Sequence, residues 1–460
     1  MFTSINKYFA KQQLSMSETL SYGLGHFAIA IGGMGSAMYL SFFWTDIAMI
    51  PLAAVSMIML FSRIFDGIND IFIAWLVDRT DTKYGKARPW ILRFFIPATI
   101  VNLALFYSPD SSIFVKTLWA VITYNLVNLF FSTCCMIPIH SLTSLITPDQ
   151  KGRVTLNLAG QIAIVSAQVL VSLTFVSGVA LFGGGEMGYF SYFAICAVIA
   201  GISMFLNFLG TKEKVQPIAK AEKVSFLTSL KTIGHNKWWL LAMGSQFFLF
   251  VLMTLQSVTI YYVTYIVNDL SVLTVITGVM FASQLIVPFV FSPFVKKFGK
   301  AHATNIALFI AAVGYLLPIF NLTSISLLIF ASILKGVGLS GMSCTRFAIM
   351  ADVVDYGEWK TNQRSDAIVF SGSSITAKVG MGLSSMMITL ILAATGYVGA
   401  AIEQTSSALS SIVFMFTWMN VIFVAIMMIC MFALNGLEAQ IPEMQKELNI
   451  RKNITMPREN

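Results

Sequence analysis

Runs of mainly apolar residues alternate with short polar connections along this chain, and a run of about 20 such residues is long enough to cross a bilayer as a helix. Twelve runs are read, at 22–45, 52–77, 90–108, 114–146, 155–178, 188–210, 238–267, 272–295, 302–320, 323–351, 366–396 and 407–435. The fourth is long for one span and is expected to extend past the bilayer. Glycine and proline inside these runs are compatible with membrane helices, because neighbouring helices re-satisfy the backbone.

The connections differ in charge from one side to the other. Those after odd-numbered runs hold almost no basic residue, Lys116 being the clear one. The other side holds Lys7, Lys11, Arg79, Lys83, Lys86, Arg88, Lys151, Arg153, the stretch from Lys212 to Lys237, Lys296, Lys297, Lys300, Lys360 and Arg364. Basic residues stay on the cytoplasmic side, so both termini are expected there. The longest polar connection, 211–236, leaves six runs on each side. The expected organisation is a first six-helix bundle at 1–210, a cytoplasmic connection at 211–236, a second bundle at 237–436 and a cytoplasmic tail at 437–460. A weak internal echo supports duplication: KYGKARPWIL follows the second run and KKFGKAHATNI the eighth. Two six-helix halves with a site between them are a transporter architecture.

Composition strengthens this picture. Hydrophobic residues make up 57% of the 460 and charged residues 11%, against about 25% charged in soluble domains. The net charge of +8 is spread in short clusters between the apolar runs, which fits a membrane orientation signal and not a nucleic-acid-binding patch. The histidines and cysteines lack metal-ligand spacing, and G-x-S-x-G, P-loop and zinc motifs are missing from the sequence, so an enzyme is not expected.

Charges inside the runs are the candidate chemistry. The second run carries RIFDGIND, with Arg63, Asp66, Asn69 and Asp70. Asp66 and Asp70 are four apart and share a helix face, with Arg63 three before Asp66. A carboxylate at mid-membrane costs about 2.5–3.5 kcal/mol on insertion scales, so two are expected to have a use. Two carboxylates with amide and hydroxyl oxygens suit Na⁺; alternatively, like charges on one face raise a carboxyl's affinity for H⁺. The plainer alternative, an Arg63–Asp66 pair tying helices together, leaves Asn69 and Asp70 unexplained.

Lys335, Arg346 and Lys378 sit within later runs. Lys378 lies in the hydroxyl-rich stretch SGSSITAKVG with Ser373 and Ser374. It can compensate the carboxylates, bind substrate, or do both. Arg346 is able to grip an anionic group with two parallel hydrogen bonds. In ADVVDYGEWKTNQR, Asp352 and Asp355 are three apart; with Arg364, Arg153 and Lys296 they are expected to form a charge network closing the cytoplasmic side. A solvated loop with incidental charges is the alternative.

RIFDGINDIFIAWLVDRTDTKYGKARPWIL, IPIHSLTSLITPDQKGR and ADVVDYGEWKTNQR resemble the glycoside–pentoside–hexuronide cation symporters, the melibiose-permease branch of the major facilitator superfamily. The likeness runs from Tyr22 through the eleventh run and leans toward glucuronide carriers in YYVTYIVND and FGKAHATN. It implies an all-α membrane protein of twelve transmembrane helices in two six-helix bundles, carrying sugar with Na⁺ or H⁺ by alternating access. The family's cation site matches Asp66, Asn69, Asp70 and Thr133. Its helix XI lysine matches Lys378, and its gate residues match Asp352, Asp355, Arg364 and Arg153. Departures fall at Met136, where sodium-using members have an aspartate, and at Ala30, where the galactoside-gripping aspartate would be. Gln161 replaces a sugar-binding arginine and His140 an aromatic residue. These changes, with Arg346, point away from a neutral galactoside and toward an acidic sugar such as a hexuronide or sulfonated sugar.

The substrate is expected between the halves, near His140, Gln161, Arg346, Ser373, Ser374 and Lys378. H⁺ is favoured as coupling ion because Met136 offers a soft thioether where Na⁺ wants oxygen. No cofactor is expected, and the protein is expected to be a monomer in membrane lipid. The alternatives are a carrier of lipid-like or drug-like solutes with the same fold, or a membrane sensor that does not transport.

Overall fold

The computed structural model describes residues 14–147, 149–214, 236–361 and 366–455. Among the described residues, twelve long helices follow one another. The first six are α1 (Met16–Ile47), α2 (Leu52–Arg79), α3 (Arg88–Leu105), α4 (Ile113–Ile146), α5 (Gln150–Leu181) and α6 (Gly185–Gly210). The second six are α7 (Lys237–Val267), α8 (Ser271–Phe298), α9 (Lys300–Phe320), α10 (Ile325–Thr361), α11 (Asp366–Ala394) and α12 (Ser406–Glu438). Each matches one apolar run of the sequence. Ten of these helices, among the described residues, are long and apolar enough to span a membrane by composition alone. The other two, α2 and α3, carry charges among their apolar residues, Arg63, Asp66 and Asp70 in α2 and Arg88 and Arg93 in α3.

The α2 helix shows why lipid suits this chain. Phe65 is 59% exposed, whereas Asp66, the next residue, is 2% exposed. Met57, Phe61, Phe65, Phe72 and Trp75 form an exposed apolar stripe at helical spacing, facing outward, while the carboxylate faces the protein.

In the stretch expected as a cytoplasmic tail, the structure has a thirteenth helix, α13 (Ile441–Thr455). It begins three residues after α12, and its Met444 and Leu448 are buried four apart. The Trp359 indole N–H at the end of α10 donates to Glu447 Oε2 at 2.6 Å.

Two compact units arise from the packing. One comprises Met1–Ala219, Gln256–Phe281 and Ser385–Ile412; the other comprises Lys220–Leu255, Ala282–Ser384 and Val413–Asn460. The first unit thus combines the six leading helices with the α7–α8 and α11–α12 hairpin tips. Its core is aromatic: Tyr39 stacks on Phe175 at 3.8 Å and Phe106 on Phe193 at 3.9 Å between ring centroids. The core of the second unit is aliphatic and methionine-rich, built from Leu249, Leu308, Ala311, Met350, Met427 and Met431.

The echoed aromatic-Gly-Lys turns become matching structures, one in each unit. Gly85 has φ +103° and Gly299 φ +85°, a backbone region that favours glycine. After Gly85, the Glu213 carboxylate accepts from the N–H groups of Lys86, Ala87 and Arg88 at 2.8–2.9 Å. After Gly299, Glu438 accepts from the N–H groups of Lys300 and Ala301 at 2.6 and 3.0 Å. Both acids therefore cap a helix start, α3 and α9, where unpaired N–H groups and the helix dipole favour negative charge.

Candidate functional site

A wide π-type stretch, Asn128–Met136, interrupts α4 where it passes α2. Such bulges are common at functional sites because they re-aim side chains. Here the bulge carries Thr133, which is fully buried. Its Oγ1 lies 2.9 Å from Asp70 Oδ1, 3.4 Å from Asp66 Oδ1 and 3.1 Å from the Asn128 carbonyl. The hydroxyl has one proton to donate and three oxygens to choose from. Two carboxylates therefore converge on one oxygen, and a carboxyl proton or a bound cation between them would resolve the competition. Arg63 stands on one side only: its Nη1 is 3.8 Å from Asp66 Oδ2, and its guanidinium lies over Tyr124 at 6.0 Å. Asn69 is half-buried on the same helix. The four expected cation-site residues thus lie on α2 and α4, with Asp66, Asp70 and Thr133 in direct contact.

The expected substrate residues divide between the two units. His140 is exposed on α4, its ring edge-on to that of His26 on α1, with centroids 5.0 Å apart. Gln161 is exposed on α5, next to Gly160, whose missing side chain leaves space for the His26 ring. In the second unit, Arg346 on α10 has its guanidinium over the rings of Phe347 and Phe250, at 4.3 and 5.7 Å. Its Nε is buried without a hydrogen-bond partner among the described residues. Lys378 is half-buried on α11. Ser373 is buried and donates to the side-chain oxygen of Gln246 on α7, which makes it a helix-packing contact. The Ser374 side chain lies outside the described residues.

Of the expected gate residues, Asp352 forms an ion pair with Lys300 at the start of α9. Lys300 was read in the sequence only as one basic charge of a connection. Arg153 donates from Nε to the Thr147 carbonyl at 3.1 Å, beside Asp149, which caps the start of α5. Asp355 is half-buried. Arg364 and the Lys296 side chain lie outside the described residues.

Lys335, expected within a span, is 3% exposed and lies over Phe416 and Tyr315 at 3.8 and 4.9 Å. Two features carry no signal in the sequence. Tyr22 joins α1 to α4 through Thr143. The other is Asp46, at the end of α1 within the first unit. Its Oδ1 accepts from the hydroxyls of Tyr265 and Tyr397, the latter at 2.5 Å, and from the Ala400 N–H at 3.2 Å. Oδ2 accepts from Thr45 at 2.6 Å. The first apolar run ends at residue 45 in the sequence pattern, and Asp46 lies just beyond it.

Comparison with known proteins adds to this geometry. The family of MFS/sugar transport proteins matches residues 21–435. The chain is 33% identical over 423 residues to the isoprimeverose transporter of Lactiplantibacillus pentosus, covering 90% of this chain and 87% of that protein. It is 28% identical to the glucuronide carrier protein homolog of Escherichia coli (strain K12), covering 85% and 86%. A solved structure of a bacterial homologue of the human lysosomal transporter Spinster, inward-facing and occupied, aligns with TM-score 0.64 at 14% identity, covering 92% of this chain and 96% of that one. At that identity the likeness is one of fold.

Proposed function

The chain belongs to the MFS/sugar transport protein family, in its glycoside–pentoside–hexuronide branch, and from that premise we propose that it is a cation-coupled sugar symporter working by alternating access. One observation carries the coupling half of this reading: Asp66 and Asp70 share the single hydroxyl of buried Thr133. A proton or cation bound there removes the competition for that hydroxyl, so occupancy changes the local hydrogen bonding of α2 against α4. The sugar half is supported by the named relatives, an isoprimeverose transporter and a glucuronide carrier homolog.

The coupling ion is H⁺. Arg63 is paired with Asp66 at 3.8 Å, and Asp70, in contact with Thr133, is assigned as the proton carrier. Met136, in the same bulge, offers sulfur and not oxygen to a hard cation. The substrate is an acidic sugar, a hexuronide or sulfonated sugar, with Arg346 as the group that meets its charge. The two six-helix halves move against each other in a bacterial inner membrane, both termini cytoplasmic, with the protein acting as a monomer.

The test is uptake into proteoliposomes of labelled isoprimeverose and a labelled methyl β-D-glucuronide, under proton or Na⁺ gradients imposed separately. Uphill uptake is expected with the proton gradient. Asp70→Asn is expected to lower it to background while sugar exchange between the two sides continues. Uptake driven by Na⁺ alone overturns the ion; uphill uptake that survives Asp70→Asn overturns the residue.

A further inference from the structure

The two imidazoles of the first unit differ in a way that suggests a division of labour. His140 is exposed, whereas His26 is 5% exposed and held on three sides. Its Nδ1 lies 3.3 Å from the Tyr22 carbonyl. A carbonyl only accepts, so the Nδ1-protonated tautomer is the one that makes this bond. Its Nε2 lies 3.4 Å from the Tyr22 hydroxyl, and the two rings are tilted with centroids 4.5 Å apart.

The Tyr22 hydroxyl is itself anchored, 2.5 Å from Thr143 Oγ1 on α4. Thr143 donates to the His140 carbonyl at 2.9 Å. From the far side, α5 presents Gly160: a Cβ there would come within 3.0 Å of His26 Cδ2 and Cγ. The bare backbone of α5 therefore forms a wall fitted to the His26 ring. One path runs from α1 through Tyr22 and Thr143 to the backbone of His140, and another through the His26 ring to the His140 ring. Both end on the one exposed member of the group.

We propose that Tyr22, His26 and Thr143 form a brace that fixes the orientation of the His140 ring, and that the braced ring selects among sugars by the direction of its nitrogen hydrogen bond. This rests on the sugar-transport reading. Imidazole nitrogens bond in the ring plane, and hydrogen bonds weaken steeply as the angle departs from linear. A ring free to turn would meet differently placed hydroxyls about equally; a fixed ring favours one arrangement. Tyr22, His26 and Thr143 are thus positioning residues, and His140 is the group that touches sugar.

Three variants test the brace: His26→Ala, which removes the ring; Tyr22→Phe, which removes the shared hydroxyl; and Gly160→Ala, which crowds the ring without changing any polar group. Uptake kinetics are measured for isoprimeverose and methyl β-D-glucuronide in proteoliposomes. In parallel, the rate of carbethoxylation at His140 by diethyl pyrocarbonate is followed by mass spectrometry at fixed pH. The expected result is a KM raised about tenfold for the better sugar by His26→Ala, the worth of one well-aligned hydrogen bond. Vmax should hold within about twofold, the KM ratio of the two sugars should fall, and the His140 reaction rate should change. A role in folding alone would lower Vmax equally for both sugars and leave their KM ratio intact, which overturns the proposal. An unchanged His140 rate in all three folded variants overturns it as well. If neither sugar slows wild-type His140 modification while the variants still change its rate, the sugar reading fails and the brace itself stands.

Discussion

Arg346 carries a guanidinium into a membrane span and rests it against two aromatic rings, with Nε buried and unsatisfied among the described residues. A buried donor without a partner costs about 1–3 kcal/mol, which an anionic ligand would offset. Arg346→Gln is therefore expected to weaken affinity for a glucuronide by about 1.5–3 kcal/mol, tenfold or more, through loss of a charged hydrogen bond. A neutral sugar should be affected far less; equal losses in parallel uptake competition would make Arg346 a structural residue. At this scale the sequence speaks through cost. Asp66, Asp70 and Arg346 stand out because charges in spans are expensive. Thr133 gives no such signal of cost, since hydroxyls are common in membrane helices; the family resemblance points to it, and its contact with both carboxylates is seen only in the fold. Tyr22 is silent for the same reason: its partner Thr143 is 121 positions away.

The helices themselves are nearly all legible, because each span is a local transfer of apolar side chains and needs no distant partner. The π-type bulge at Asn128–Met136 is not legible, since it is a choice of hydrogen-bond register made under tertiary packing. Nor is α13, whose mixed sequence IPEMQKELNIRKNIT lacks a span's apolar length and which is held by the burial of Met444 and Leu448 and by the Trp359–Glu447 bond. The two carboxylate caps lie between these cases. The echoed glycine turns appear in the sequence; the acids that cap them, Glu213 and Glu438, lie 126 and 138 positions or so away along the chain. Glu213→Gln keeps the shape and removes the charge facing three N–H groups. It is expected to destabilise the protein by about 1–2 kcal/mol, from charge-assisted bonds and the helix dipole. The thermal midpoint in detergent reads this, and the matching Glu438→Gln should lower it similarly. A midpoint unchanged in both would mean that the caps contribute only geometry.

In the whole molecule, Asp46 joins segments that the chain keeps far apart. It ties the end of α1 to Tyr265 near the end of α7, and to Tyr397 and Ala400 after α11. Thr45 beside it shares a 3.0 Å contact with the Tyr261 hydroxyl, and on α2 Ser56 donates to Thr389 at 2.6 Å. These bonds account for the hairpin tips clustering with the first six helices. Asp46→Leu would leave two tyrosine hydroxyls and an N–H without this acceptor, at about 1–3 kcal/mol for each left unsatisfied. The variant is expected to lose thermal stability clearly, and to expose Tyr265 and Tyr397 to faster chemical labelling; unchanged labelling would show that other contacts hold the tips. By itself the sequence determined the twelve spans and the presence of costly carboxylates in the second of them, because insertion into lipid is a free energy that each segment carries alone. Only the tertiary structure decided which partners those charges meet: Thr133 for Asp66 and Asp70, Lys300 for Asp352, the tyrosines for Asp46. Hydrogen bonds and ion pairs form only when atoms come within about 3 Å at suitable angles, and for residues tens to hundreds of positions apart that placement is a property of the packed helices.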